Sequence, residues 1–386
     1  MSQGKAFRLQ GSIHDVQHLF LGFRAIMQLG SLADQKQAIM DVQREILSYN
    51  KELAERYNLP KPRDVGFSVA EDVVSVLKSI GLLEYQDHTV RLSTQGKQLA
   101  SFLESSRTKE FRNELTRLIF EKFPEIGEFL TFLNRSTINE ELVLPKFTVE
   151  LAKSVQCDPE AIADRIITST SKCLREPSKS RLSKIELKEQ LSLQRSLREG
   201  DGDKSLESMV DRYLITRLMS PFVTSKRKYD VIRDLSTSLF LVNSGSFKEG
   251  KLSLEAVYST SWLYPDMSPP VNVHEFTELI LTNGKTIKIH EPCSEAFEKE
   301  LRRTVVEAYR NLEPDFGFVD ISDLRDHVCR VLRISDRLFD TGIVRLYDKE
   351  PQGFGLSYSF KKVTSKRLPI LIGDTLKTSY NLIRIS

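Results

Sequence analysis

A chain of 386 residues exceeds one small core and suits two to four domains. With 40% hydrophobic residues, 28% charged residues and a formal charge of only +3, any basic surface has to be local. No 18-residue apolar run and no signal-peptide core in MSQGKAFRLQ are present, so neither a membrane span nor a membrane partner is expected. The four cysteines (Cys157, Cys173, Cys293, Cys329) are scattered with no CxxC, and read as reduced thiols of a cytoplasmic protein, nucleoid-associated or nuclear according to the host.

Residues 12–57 read as helical, with Val16, Leu19, Phe20 and Phe23 in one apolar stripe and Ile39, Val42, Ile46 and Leu53 in a second. His14 and His18 stand four apart, but no third ligand accompanies them, and they read as helix-surface histidines. After Pro60, Pro62 and Gly66 comes the most informative stretch, Phe67–Glu104. Val69, Ala70, Val73, Val74, Leu77 and Ile80 define a helix, which Gly81 ends from the C′ position. Leu82, Leu83 and Tyr85 form a strand, Gln86-Asp87-His88 a tight turn, and Val90 and Leu92 the inward side of a return strand. Thr94 opens a further helix carrying Leu99, Phe102 and Leu103. This helix–hairpin–helix order resembles a winged-helix domain.

A second such unit is expected over 107–175. Glu125–Asn134 and Phe147–Val155 read as helices, and Asp158-Pro159 starts a third, Pro159–Leu174. The trio resembles a helix-turn-helix domain, although its turn Gln156-Cys157-Asp158 lacks glycine and no clear wing follows Leu174. From Lys172 to Arg198 the chain carries eight basic residues against three acidic ones, a basic linker over 176–203 that ends at Glu199-Gly-Asp-Gly202. Leu206–Pro221 is amphipathic. After Ser225-Lys-Arg-Lys228 the apolar period shifts towards two, with strands expected between breaks at Gly245 and Gly250. In Glu278–His290, Asn283-Gly284 suits a type I′ hairpin turn. Residues 204–292 thus form a small mixed α/β region that resembles no particular family.

The last third, 293–386, begins with a helix over Ser294–Leu312 whose inward residues are Phe297, Leu301, Val305 and Ala308. Helices follow over Ile321–Leu332, with Leu324, Val328 and Val331 inward, and over Ser335–Arg345 with Leu338 and Phe339. Gly353-Phe-Gly355 and Leu356–Phe360 offer a wing and its strand, so the order again resembles a winged helix. The tail from Lys361 has six basic residues against Asp374. The expected fold class is α+β, predominantly helical: tandem winged-helix units, the first within 1–106, around a small mixed central region.

Signatures of catalysis are absent: there is no GxxxxGK[ST], no GxGxxG after a strand and no GxSxG. His290 and Cys293 stand three apart with only His274 near, too few for a zinc site. Asp234 with Glu249-Gly-Lys251 has the residue types of a metal-dependent nuclease, but Glu249 and Lys251 flank a turn glycine and would not share a strand face. No cofactor, metal or small-molecule substrate is implied.

Electrostatics separates the units. The outward side of the first unit's helix, Ser68, Glu71, Asp72, Ser75 and Lys78, carries two carboxylates that would repel phosphate, and suits a protein partner. Arg165, Thr168, Ser169 and Lys172 share the outward face of the second unit's third helix, and Arg181, Lys184 and Lys188 follow in the linker. Arg325, Arg333, Arg337, Arg345, Lys361 and Lys362 give the last unit a backbone-binding set. The expectation is a non-catalytic protein that binds double-stranded DNA and works with protein partners in a larger complex. The alternatives are an interaction scaffold that uses winged helices for docking, and a divergent nuclease.

Overall fold

The computed structural model describes residues 15–30, 33–57, 61–86, 88–133, 141–145, 226–249, 252–267, 275–291, 295–312, 314, 317–357, 370–371, 379–380 and 382–385. Its first unit runs α1 (Val16–Gln28), β1 (Ala33–Asp34), α2 (Gln35–Arg56), α3 (Phe67–Ser79), β2 (Leu83–Gln86), β3 (Thr89–Leu92) and α4 (Thr94–Glu104). The helical stretch expected over 12–57 is interrupted at β1, a two-residue strand that exists only because it pairs with Thr89 and Val90. Asp34 ends that strand and caps α2, its carboxylate accepting the amides of Lys36 and Gln37 at 2.9 and 3.1 Å. Helix α3 stops where the sequence indicates: Gly81 is left-handed, with Leu82 N donating to Leu77 O and Gly81 N to Lys78 O, both at 3.0 Å. The three strands form an antiparallel sheet in the order β1-β3-β2. His18 is buried at 7% exposure, against the surface position expected, because α1 packs against both α2 and α3. His14 lies outside the described residues.

Helices α5 (Thr108–Lys122) and α6 (Pro124–Leu133) follow, α6 burying Ile126, Phe129, Leu130 and Leu133 as its spacing predicts. β4 (Glu141–Pro145) then joins the central sheet. The helices expected at 147–155, 159–174 and 206–221, with the basic linker, lie outside the described residues. α7 (Lys226–Ser238) leads into β5 (Val242–Glu249) and β6 (Leu252–Ser259), and the order β4-β6-β5 places β6 in the middle. β7 (Ser261–Tyr264), β8 (Phe276–Ile280) and β9 (Thr286–His290) make a second sheet, β7-β9-β8. Its hairpin is the one read from Asn283-Gly284, but the turn differs. Gly284 N donates to Leu281 O and only Gly284 is left-handed, so a type I turn with a glycine bulge replaces the type I′ turn.

The last unit is α8 (Glu295–Asn311), β10 (Val319–Asp320), α9 (Ile321–Leu332), α10 (Asp336–Lys349), β11 (Phe354–Ser357) and, after the short pair β12 (Ile370–Leu371) and β13 (Ser379–Tyr380), β14 (Leu382–Ile385). Its sheet order, β10-β14-β11, repeats β1-β3-β2, and among the described residues both units follow the path α-β-α-α-β-β once β12 and β13, which pair only with each other, are set aside. The correspondence extends to detail: Asp320 ends β10 and caps α9 through Ser322 N at 2.9 Å, as Asp34 does for α2. Among the described residues no helix is long and apolar enough to cross a membrane.

Two hydrophobic cores result. The larger takes in the first unit, α5, α6, α7 and the β7-β9-β8 sheet; the smaller belongs to the last unit. Strand β6 divides them, with Val257 in the first core and Ala256 and Tyr258 in the second. Gly245, expected to break a strand, instead sits inside β5 opposite Ala256. There α9 approaches so closely that a Cβ would lie 3.2 Å from the Asp326 carbonyl oxygen. Gly245→Val should therefore destabilise the protein by about 1–3 kcal/mol through overpacking. Urea unfolding checks this, and an unchanged midpoint would show that α9 yields freely.

Candidate nucleic-acid interface

The outward surface of the last unit depends on how α9 and α10 are pinned. Along β5, Asn243, Gly245 and Phe247 face α9. Asn243 Nδ2 donates to Ile334 O at 3.0 Å and to Asp336 Oδ1 at 2.8 Å, and Ser246 N donates to Asp326 Oδ2 at 2.8 Å. The Arg330 guanidinium lies 3.7 Å from the centre of the Phe247 ring, and that of Arg333 lies 5.1 Å from Tyr258. Helix α9 is consequently buried on two sides. Arg325 and Cys329 are buried, whereas Val331, expected inward, is 51% exposed.

This corrects the role of Arg325. It is 4% exposed, and its Nε and Nη2 both lie 2.8 Å from Asp340 Oδ1, so it is not presented to a phosphate. Arg333 is half-buried at the α9 C-terminus in the left-handed conformation, φ +55°. Arg337 and Arg345 are exposed on α10, as expected. Thr341 lies between them, also exposed, completing an i, i+4, i+8 stripe that the spacing alone would have revealed. The opposite side of α10 buries Phe339, Gly342, Ile343 and Leu346 in the second core, which fixes the stripe outward. Arg165, Thr168, Ser169, Lys172, Arg181, Lys184, Lys188, Lys361 and Lys362 lie outside the described residues.

On the first unit, α3 occupies the place that α10 has in the last. Ser68, Glu71 and Lys78 are exposed, and Asp72 and Ser75 half-buried. Lys78 Nζ sits 3.8 Å over the Tyr85 ring, so the cation of this face is drawn to the hairpin while the Glu71 carboxylate stays outward. Phe67, at the start of α3, and Met40 on α2 are each 42% exposed.

The nuclease residues do not assemble. Asp234 lies on α7 against Arg233, Nε to Oδ1 at 2.8 Å, and Arg233 also reaches Glu255 at 3.3 Å. Glu249 ends β5 and Lys251 lies outside the described residues. Among the described residues no group of three or more His, Cys, Asp or Glu is placed to hold a metal ion. His290 is buried, edge-on to Phe297 at 5.6 Å.

The junction of α9, α10 and β5 carries the largest carboxylate shifts. Burial pushes Asp326 up to about 7, with Asp336 and Asp323 adding to it against the Ser246 amide and Arg325. Burial likewise raises Asp340 to about 6, although Arg325 pulls it down. Burial also drives the Cys329 thiol well above its usual range, leaving it an inert core group. Comparison with known protein families, curated proteins and solved structures finds no match.

An acid whose folded pKa is raised holds its proton longer when folded. Its contribution to stability is full below about pH 4 and is lost as pH rises through about 7 for Asp326. Asp326→Asn keeps an acceptor for Ser246 N and removes the charge. The variant should gain stability relative to the native protein as pH rises from about 4 to about 7, with no further divergence above that. Denaturant midpoints measured across this range decide it, and parallel curves would refute the assignment.

Proposed function

We propose that this chain is a non-catalytic DNA-binding protein built on two winged-helix units, acting with protein partners in a larger complex. The observation that carries the reading is the repeated path α-β-α-α-β-β with the first strand beside the third in both sheets. In a winged helix this order sets the third helix outward, as the one that meets the major groove. In the last unit that helix is α10, whose exposed stripe Arg337, Thr341 and Arg345 offers two guanidinium forks and a hydroxyl to phosphates and base edges. The basic segments outside the described residues add to the same electrostatic term.

The corresponding helix of the first unit supports a different partner. Glu71 and Asp72 on α3 oppose a phosphate backbone, whereas Phe67 on the same helix and Met40 on α2 are exposed apolar side chains of the kind a protein contact buries. In this reading the N-terminal unit docks a protein and the C-terminal unit holds DNA. Membrane attachment, catalysis and a location beyond that of its DNA form no part of the proposal.

Fluorescence anisotropy with a short labelled duplex tests the reading. Binding should show little sequence preference and weaken as salt rises, with a log–log slope of roughly −5 if about six phosphates are neutralised. Arg345→Ala together with Thr341→Ala should reduce that slope by roughly 0.9, the share of the one phosphate contact carried by the arginine, without lowering the melting temperature. Glu71→Ala with Asp72→Ala should leave DNA affinity intact or slightly raised. Salt-independent binding, or none at low salt, would sink the DNA reading in favour of a scaffold.

A further inference from the structure

Among the described residues one ring carries two arginines. Phe240 links α7 to β5, and the guanidinium carbons of Arg112 on α5 and Arg337 on α10 lie 5.3 and 5.6 Å from its centre. These arginines come from opposite halves of the chain and meet only in the folded protein. Neither donates a side-chain hydrogen bond or forms an ion pair among the described residues. Asp15 attracts Arg112 and Glu291 attracts Arg337 through space, but each carboxylate also serves another partner. Asp15 caps α1 through Gln17 N at 2.8 Å, and Glu291 accepts from Lys109 Nζ at 2.9 Å. Arg112 is half-buried, and its pKa is lowered first by that burial and then by Arg337, so the two cations repel one another in the protein as it stands.

The backbone supplies an independent observation. Phe240 holds the C′ position of α7, with φ +60°, Phe240 N donating to Thr237 O at 3.0 Å and Leu241 N to Ser236 O at 2.9 Å. Glycine occupies such a position without strain, and a phenylalanine there is an unfavourable choice for the backbone alone. Unfavourable backbone positions persist where the side chain has work that the fold over-determines. Here the ring keeps two guanidinium groups within 5.6 Å of one centre, and Arg337 also stands in the first turn of α10, where backbone N–H groups add positive potential.

The geometry points to a phosphate-binding clamp formed by Arg112 and Arg337 across Phe240, taking a backbone phosphate of the nucleic acid that lies along α10. The source of the phosphate rests on the DNA reading above. The site itself does not, since inorganic phosphate or a phosphate monoester offers the same oxygens. An anion between the two forks would relieve their repulsion and accept from both, a hydrogen-bond acceptor that neither arginine has among the described residues.

The test uses the full chain. Arg112→Gln should lower the salt slope of duplex binding by roughly 0.9 and weaken all sequences alike, while the melting temperature stays level or rises because the repulsion is gone. Arg112→Lys keeps the charge without the fork and should recover most of the slope. A merely structural arginine would instead lower the melting temperature and leave the slope alone, which overturns the clamp. If Arg345→Gln lowers the slope and Arg112→Gln does not, the clamp falls and the DNA reading stands. If the native protein binds no duplex, the DNA reading falls. The clamp is then judged by inorganic phosphate and pyrophosphate, which should raise the melting temperature of the native protein but not of Arg112→Gln, and no such difference overturns it. Should Arg112→Gln fail to fold, exposed Arg337→Gln replaces it with the same expected slope.

Discussion

The structure turns on a strand that has to bury both of its faces. β6 is the middle of the β4-β6-β5 sheet, and its alternate residues enter different cores: Val257 one, Ala256 and Tyr258 the other. A strand with water on one side would read as a clean apolar–polar alternation. Here Leu254, Ala256, Val257 and Tyr258 are all fully buried, because α6 packs against β6, and the core of the last unit takes up Ala256 and Tyr258. Either half of the molecule lacks a wall without this strand. The sheet admits α9 only where Gly245 leaves the space of a missing Cβ, so one backbone position sets the distance between the last unit and the rest.

Polar groups at that seam are arranged to tolerate such closeness. Asn243 and Asp326 each satisfy a backbone or side-chain partner across it, and Arg325 is buried with its acid, the partly exposed Asp340, beside it. A buried ion pair is weak evidence for stability, because desolvation offsets most of the attraction. It does fix geometry: a guanidinium with Nε and Nη2 on one carboxylate oxygen orients α9 against α10, and hence the direction in which the α10 stripe points. The raised pKa values of Asp326 and Asp340 record the same desolvation from the other side.

Much of this was legible in the sequence, and what was not has identifiable causes. The hairpin within Phe67–Glu104 and the core face of α8 follow from period and capping, which are local. β1 and β10 were not legible because two residues cannot show alternation; each forms only through pairing with a partner distant in the chain. The strand closing the last sheet, β14, lies beyond residues 358–381, so the repeat emerges from pairing and not from spacing. The inward side of α9 was misjudged because a helix packed on two sides hides a charged residue as readily as an apolar one, which put Arg325 inside and Val331 outside. In the candidate site, Arg337 and Arg345 were legible from amphipathicity. Arg112 gave no signal at all, since its significance comes from a ring 128 positions away in the sequence.

A net charge of +3 conceals a division of labour under the proposed reading. Two units with the same strand order set their third helices outward in the same sense, so the fold alone would make them equivalent. Side chains break the equivalence. α3 presents Glu71 with Lys78 turned onto Tyr85, whereas α10 presents Arg337, Thr341 and Arg345. A polyanion approaching at a Debye length of about 8 Å in physiological salt meets repulsion at the first surface and attraction at the second. The two surfaces therefore cannot serve one ligand equally. The two cores meet at β6, so under the proposed reading a partner on α3 and a nucleic acid along α10 would be joined through one packed seam. Under the proposed reading an adaptor needs two unlike faces joined by a shared core, and the doubly buried strand is where the two cores meet.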